Sequence, residues 1–233
     1  MIIPERFNGP PASANGGYTC GLLARELGGV VEVTLRRPPP LSVALDVVAV
    51  NGCLELRHGP ELIAEACAVE LDVDVPAPVS LEEAAEASAR FAGFEHHAYP
   101  TCFTCGPGRE DGLRVFAGPV AGREGLVASP WVPPRDLQPE FVWAALDCPA
   151  GWAVDDFGRE GVLLGRMAAR IDGEVSAGEP HIVLGWRLGE EGRKRYAGSA
   201  VYSQAADLLA VSRSTWIVPK AAELRERGLV PAA

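Results

Sequence analysis

One carboxylate sits where a carboxylate is costly. Asp147 lies in PEFVWAALDCPAGWA, between Phe141-Val142-Trp143-Ala144-Ala145-Leu146 and Ala150, Trp152 and Ala153. A stretch apolar on nearly every side reads as a buried helix, wrapped by other elements. An ionised carboxylate there must be hydrogen-bonded or paired. Asp147 is therefore either tied down structurally or kept for proton chemistry. A second feature is Asn15-Gly16-Gly17-Tyr18. Asn15 is a plausible N-cap, and a glycine-rich helix entry offers free backbone N–H groups to an oxygen or anion. The plain alternative is a turn that needs glycine for its geometry. The third is Cys102-x-x-Cys105 with His96 and His97 upstream. Such groups can hold zinc. No second CxxC exists and adjacent histidines rarely share one ion, so no metal is expected. Gly106-Pro107-Gly108 follows the pair, which also argues against a redox CxxC at a helix start.

The elements around these residues can be read from pattern. FNGPPASANGGY, over 7–18, is a loop. A helix follows with Leu22, Leu23 and Leu27 on one face and Gly28-Gly29 as its stop. Strands are expected over 30–35, 42–50, 53–57 and 61–71, with an Asn51-Gly52 hairpin turn. A Pro-rich link leads to an amphipathic helix over 80–91, opened by a Ser80/Glu83 capping box. Then come strands over 113–120 and 125–132, the buried helix over 139–153, and strands over 161–171, 180–188, 196–205 and 208–217. The fold class is α+β. Two units of similar order emerge, residues 1–75 and 101–233, joined by a linker over 76–100. Each has a long apolar helix and an antiparallel sheet.

Composition narrows the partners. The chain has 233 residues, is 48% hydrophobic and carries a formal net charge of −10. Scattered basic residues on an acidic chain argue against nucleic acid, which demands a basic face. No apolar run approaches the ~20 residues of a membrane helix, and the first residues lack a signal-peptide pattern. Six cysteines in so long and apolar a chain do not suggest a disulfide scaffold. They read as mostly reduced, in a cytoplasmic protein.

Residues 101–217 resemble the hotdog acyl-CoA thioesterase superfamily. CFTCGPGREDGL, over 102–113, is similar to the CFxCGxxNPxGL stretch ahead of that fold. ALDCPAGWA, over 145–153, is similar to its central-helix pattern, and SRSTWI, over 212–217, to its closing strand. Asn15-Gly16-Gly17 resembles the HGG motif that opens the family's helix, with Asn15 in place of histidine. The resemblance implies two fused hotdog repeats, each a long central helix wrapped by a curved antiparallel sheet, standing in for the usual homodimer.

In that family the first glycine of HGG lies eight residues before the helix carboxylate, and the two act across the dimer. Eight back from Asp147 is Pro139, followed by Glu140; eight on from Gly16 is Ala24, with Glu26 nearby. Each repeat thus lacks one half of the apparatus, and the losses are complementary. The resemblance implies one site between the repeats, in which Gly16, Gly17 and Tyr18 polarise an acyl-CoA thioester carbonyl. Asp147 serves as general base or as nucleophile, and Asn15 orients water or substrate. Asn8 and Trp143 are candidate substrate contacts, although Trp143 also reads as core. Arg36, Arg37, Arg166, Arg193 and Lys194 are candidate phosphate contacts. Coenzyme A enters as part of the substrate and no cofactor is implied; two chains are expected to pair as a homodimer. A hydratase would need histidine five residues after Asp147, where Trp152 stands. The alternative is a non-catalytic acyl-CoA-binding protein, with Asp147 structural at a helix break before Pro149.

Overall fold

The computed structural model describes residues 1–154 and 161–220; two stretches of the second expected unit, 155–160 inside it and 221–233 at its end, lie outside them. The elements are α1 (Gly16–Leu27), β1 (Val31–Leu35), β2 (Asp46–Val50), β3 (Cys53–His58), β4 (Glu61–Ala68) and α2 (Leu81–Ser88). They continue with β5 (Gly118–Pro119), β6 (Leu126–Trp131), α3 (Pro139–Ala153), β7 (Leu163–Ile171), β8 (His181–Glu191), β9 (Lys194–Tyr202) and β10 (Leu208–Ile217). All strands join one antiparallel sheet in the order β2-β3-β4-β1-β7-β10-β9-β8-β6-β5. The seam is β1 against β7, from Val31 opposite Ala169 to Thr34 opposite Arg166. On one side of it β1–β4 carry α1; on the other β5–β10 carry α3.

Local chemistry sets the helix ends. The Asn15 side chain accepts from the Tyr18 N–H, and Gly28 stops α1 at φ 77° while donating to Ala24 O. Gln138 precedes α3, and Pro139 opens it. Pro fits a helix start, where its missing N–H is no loss. α3 then runs through Pro149 to Ala153. The helix is continuous over 139–153 as expected, and the break before Pro149 that belonged to the alternative reading of Asp147 is absent. Leu23, Phe141, Ala145, Leu146 and Met167 belong to one core shared by both helices and the sheet face that wraps them.

Three expected elements came out shorter by four residues or more. The strand over 42–50 begins only at Asp46, because Ser42 N–H bonds Ile3 O, Leu45 N–H bonds Met1 O, and Ser42 has φ 56°. The strand over 113–120 shrinks to Gly118–Pro119, because Leu113 and Val115 give their N–H groups to Phe103 O and Thr104 O. The helix expected over 80–91 spans Leu81–Ser88, with its capping box formed. It packs Ala84 and Ala87 on the outer sheet face with Leu126, Ile182 and Leu184.

The cysteines are mostly free, as expected, with one bonded pair. Cys20, Cys102, Cys105 and Cys148 are free, but Cys53 and Cys67 are bonded across β3 and β4. A regular hairpin would set Cys53 opposite Ala66. A register shift between Leu56 and Arg57 moves the partner on by one, to Cys67.

Candidate functional site

α1 and α3 cross in opposite directions at very short range. Gly17 and Gly21, one turn apart, both face α3. A Cβ on Gly17 would lie 2.4 Å from Asp147 Cβ and 2.6 Å from Trp143 O, and one on Gly21 would lie 2.6 Å from Glu140 Cα. Glycine inside a helix costs roughly 1 kcal/mol relative to alanine. Here it allows the backbones to touch. The Gly17–Gly21 spacing was visible in the sequence and is the signal that the motif reading passed over.

That approach places the Gly17 N–H 2.9 Å from Asp147 Oδ2. It is a first-turn amide with no partner inside its own helix, and the positive end of the helix dipole favours the carboxylate. The Tyr18 N–H is taken by Asn15 Oδ1 at 2.8 Å. Asn15 Nδ2 points to Cys102 Sγ at 3.7 Å. Asp147 Oδ1 accepts no hydrogen bond from the described residues. Asp147 is 3% exposed. Burial pushes its pKa up to about 7; the Gly17 N–H opposes the rise, Cys102 adds to it and Asn15 opposes it.

A cavity of about 270 Å³ opens beside this contact, and Asn15, Gly16, Cys102, Asp147 and Cys148 are in its wall. Leu35, Val162, Leu164 and Trp216 supply apolar lining, and Arg36, Arg37 and Arg193 are also part of it. These three came from the set proposed for phosphate. The other two are engaged elsewhere: Arg166 with Glu32 at 3.4 Å, and Lys194 with Glu191 at 4.0 Å.

Not every expected residue comes to the cavity. The Tyr18 ring is stacked on Phe7 at 4.1 Å, within a cluster containing Phe103 and Phe141. Trp143 is 4% exposed, in the core. Asn8 clamps two loops: its Oδ1 accepts from Arg109 Nη1 at 2.9 Å, and its Nδ2 donates to Thr101 Oγ1 at 3.2 Å. Tyr18, Trp143 and Asn8 are outside the cavity lining, and so is Gly17, which meets the cavity only through Asp147.

The CxxC loop docks on α3. Phe103 N–H bonds Asn8 O, and Thr104 Oγ1 donates to Ala144 O at 3.1 Å. This brings Cys102 and Cys105 to Cys148, with the three sulfurs within 4.8 Å of one another. Hydrogen bonds from the Cys105 and Cys148 thiols hold Cys102 well below the usual thiol range. Cys148 comes from a distant part of the chain, so motif spacing could not reveal it.

No family model and no curated protein matches the sequence. Solved structures do. A conserved protein of unknown function with hotdog fold from Alicyclobacillus acidocaldarius aligns with TM-score 0.60 at 11% identity, over 92% of this chain and 90% of that one. A tesB protein of Mycobacterium avium subsp. paratuberculosis aligns with TM-score 0.55 at 16% identity, over 94% and 91%. An acyl-CoA thioesterase II from Mycobacterium marinum aligns with TM-score 0.52 at 9% identity, over 82% and 80%. At these identities the likeness establishes the fold: the chain has the hotdog fold.

Proposed function

We propose that this protein hydrolyses acyl thioesters of coenzyme A, in one site between two fused hotdog repeats. The first repeat spans 1–75 and the second 101–233, with 76–100 as the linker. The observation that carries the reading is the Gly17 N–H to Asp147 Oδ2 bond, made between the two helices at the wall of a cavity. Fold alone does not fix function; this pairing of a helix start with a buried carboxylate supplies the chemistry.

The acyl thioester enters with its carbonyl at the start of α1. The amide at Gly16, in the cavity wall, stabilises the oxyanion, a kind of contact worth roughly 3–4 kcal/mol of barrier in comparable sites, while the Gly17 N–H holds the Asp147 carboxylate in place. Asp147 takes a proton from water as the water oxygen bonds to the carbonyl carbon. The carbon–sulfur bond then breaks, and the departing thiolate takes up a proton. The competing route has Asp147 attack the carbonyl carbon itself, expel the thiolate and form an anhydride that water cleaves. The arginines at the cavity receive the phosphates. The protein needs no resident cofactor in this reading, is cytoplasmic, and pairs with a second copy.

A second reading has a specific observation behind it. The Gly17 and Tyr18 amides already have acceptors, Asp147 and Asn15. Donors so engaged suit a protein that binds acyl-CoA without turning it over.

The deciding test is release of free coenzyme A from short, long and aromatic acyl-CoAs, with Asp147→Asn alongside. Turnover abolished by the substitution is the expected result. Binding without turnover on every substrate would replace hydrolysis with the second reading. Label in the Asp147 carboxylate after single turnover in ¹⁸O-water marks attack by Asp147, with water cleaving the anhydride at the aspartyl carbon; label in the released acid alone fits both routes.

A further inference from the structure

The CxxC loop forms a tight knuckle whose purpose hydrolysis does not explain. Cys102 N–H bonds Tyr99 O, Gly106 N–H bonds Cys102 O and Gly108 N–H bonds Pro100 O. A Cβ at Gly106 would lie 2.5 Å from Cys102 N and 2.6 Å from Cys102 O, so only glycine closes this turn. The fold thus pins Cys102 and Cys105 on the same side of one short loop. α3 then delivers Cys148 to them. Cys102 Sγ and Cys148 Sγ are 3.8 Å apart, and no two of the three sulfurs are more than 4.8 Å apart.

Buried free cysteines often behave as small hydrophobes. Three that converge from two elements are a different case. A tetrahedral zinc–sulfur bond of about 2.3 Å sets neighbouring sulfurs about 3.8 Å apart. The Cys102–Cys148 spacing matches that edge, and the widest spacing in the trio exceeds it by only about an ångström.

We propose that Cys102, Cys105 and Cys148 bind a zinc ion as thiolates, with its fourth position open to the cavity. Soft thiolates select zinc or copper(I) over the hard cations that oxygen ligands prefer. Three protein ligands with one position left for an outside group is the pattern of an open zinc site. Cys102 and Cys148 both line the cavity, so the fourth ligand enters there, as water or as a small thiolate.

His97 also reaches this cluster, and two of its contacts bear on its part. Its Nδ1 accepts from the Tyr99 N–H at 3.0 Å. The proton of the neutral ring therefore falls on Nε2, a tautomer assigned from these partners. Nε2–H then reaches Cys105 O at 3.2 Å and Cys105 Sγ at 3.3 Å. His97 is a positioning residue that donates to a ligand sulfur. It is not itself a ligand. Asn15 Nδ2 serves Cys102 Sγ from the other side. Such outer partners typically change metal affinity by about 10–100-fold when removed.

The test is metal content of the reduced full-length protein, grown with zinc and purified without chelators. About one zinc per chain is expected, measured by mass spectrometry. Cys102→Ser and Cys148→Ser should fall to background. Cys20→Ser, a buried free thiol outside the cluster, should keep its zinc. His97→Ala should keep the stoichiometry and weaken affinity by about 10–100-fold. Cobalt(II) titration of the wild-type chain gives a second reading that no variant's folding can spoil. Thiolate charge-transfer absorption should appear, and added 2-mercaptoethanol should shift it by taking the fourth position. A wild-type chain that takes up neither metal overturns the proposal. So does metal retained by both cysteine variants, or a Cys102–Cys148 disulfide in freshly isolated protein. Complete loss of metal in His97→Ala, or a cobalt spectrum indifferent to thiol, overturns the open three-sulfur set. None of these readouts depends on turnover, so the site stands or falls apart from the hydrolase reading.

Discussion

At one end of the α1–α3 pair, Gly17 N–H meets Asp147 in the wall of a cavity. At the other end, Glu140 in the first turn of α3 meets Arg25 in the last turn of α1, at 3.0 and 3.2 Å. The parts are similar: a helix start and a carboxylate at the crossing of two helices. Their arrangement differs. α1 begins with glycines, so its backbone amide reaches the neighbouring helix. α3 begins with Pro139, which has no amide hydrogen, and the carboxylate belongs to the helix start itself. The Glu140 side chain is 5% exposed and its arginine partner 44%. That end is closed by an ion pair. A helix start does chemistry only when its amide is present and its acceptor stands beside a space large enough for a substrate.

Exchanging the two carboxylates for amides gives the largest contrast. Asp147→Asn should lower the rate of coenzyme A release by about 10²–10⁴-fold, the usual worth of a positioned base. Its stability should hold, because the amide oxygen can still accept from Gly17 and a buried charge is gone. Glu140→Gln should leave the rate nearly unchanged and destabilise by about 1 kcal/mol, a figure reduced because Arg25 is half in water. Kinetics and denaturant unfolding on both variants check this. Equal loss of rate in both would erase the distinction between the ends.

The glycines extend the comparison to the backbone. Gly17→Ala and Gly21→Ala each force a methyl into atoms less than 3 Å away. Each should destabilise by about 1–3 kcal/mol, the cost of overpacking. Only Gly17→Ala moves an amide off Asp147, so at matched folded fraction its rate should fall by about 10-fold or more, a fraction of what a whole donor is worth. Gly21→Ala should keep most of the wild-type rate. Circular dichroism melts alongside turnover separate the two effects.

pH acts at the Asp147 end through a carboxyl that burial raises to about 7. The proposed base must be ionised, so activity should rise with pH through about 7 and level off above it. Stability runs the other way. Between the unfolded value, roughly 3.9, and about 7 the folded chain holds the proton that the unfolded chain has lost. This carboxyl's contribution to stability therefore falls as pH rises across that window. Asp147→Asn should flatten that contribution, which unfolding at pH 5 and pH 8 would show.

Much of this was legible in the sequence, for reasons that can be located. α3 was readable because its apolar run has no polar face, and α1 because Asn15 and Gly28 mark its ends. The seam between β1 and β7, the bonded Cys53–Cys67 pair and the arrival of Cys148 at the CxxC loop were not. Each depends on register or packing between distant segments, and a one-residue shift at Leu56/Arg57 is enough to change a cysteine's partner. The shortened strand at 113–120 failed for a related reason. Its alternation is that of a strand, but Arg114 has φ 57° and its neighbours' amides bond the loop that holds Cys102. The cavity could be anticipated only as a pairing of motifs. Its volume, and the recruitment of Arg36, Arg37 and Arg193 to it, follow from the folded sheet.

The smallest expected effect tests what the cavity end holds besides Asp147. Arg36 is paired with Glu65, and Arg37 lies 3.7 Å from Glu61 with its side chain 58% exposed. A phosphate bound there would compete with those carboxylates in water, so each contact is worth about 0.2–1 kcal/mol. Arg37→Ala should therefore raise KM for acyl-CoA by no more than about fivefold and leave kcat alone, since the residue touches the handle of the substrate and not the reacting carbon. The increase should shrink as salt is added, because screening weakens the wild-type contact that the variant lacks. A truncated substrate, the same acyl group on a thiol without phosphates, supplies the internal control: Arg37→Ala should not alter its KM. An equal effect on both substrates would mean that Arg37 shapes the cavity rather than reading phosphate, and the coenzyme A end of the site would have to be sought at Arg193.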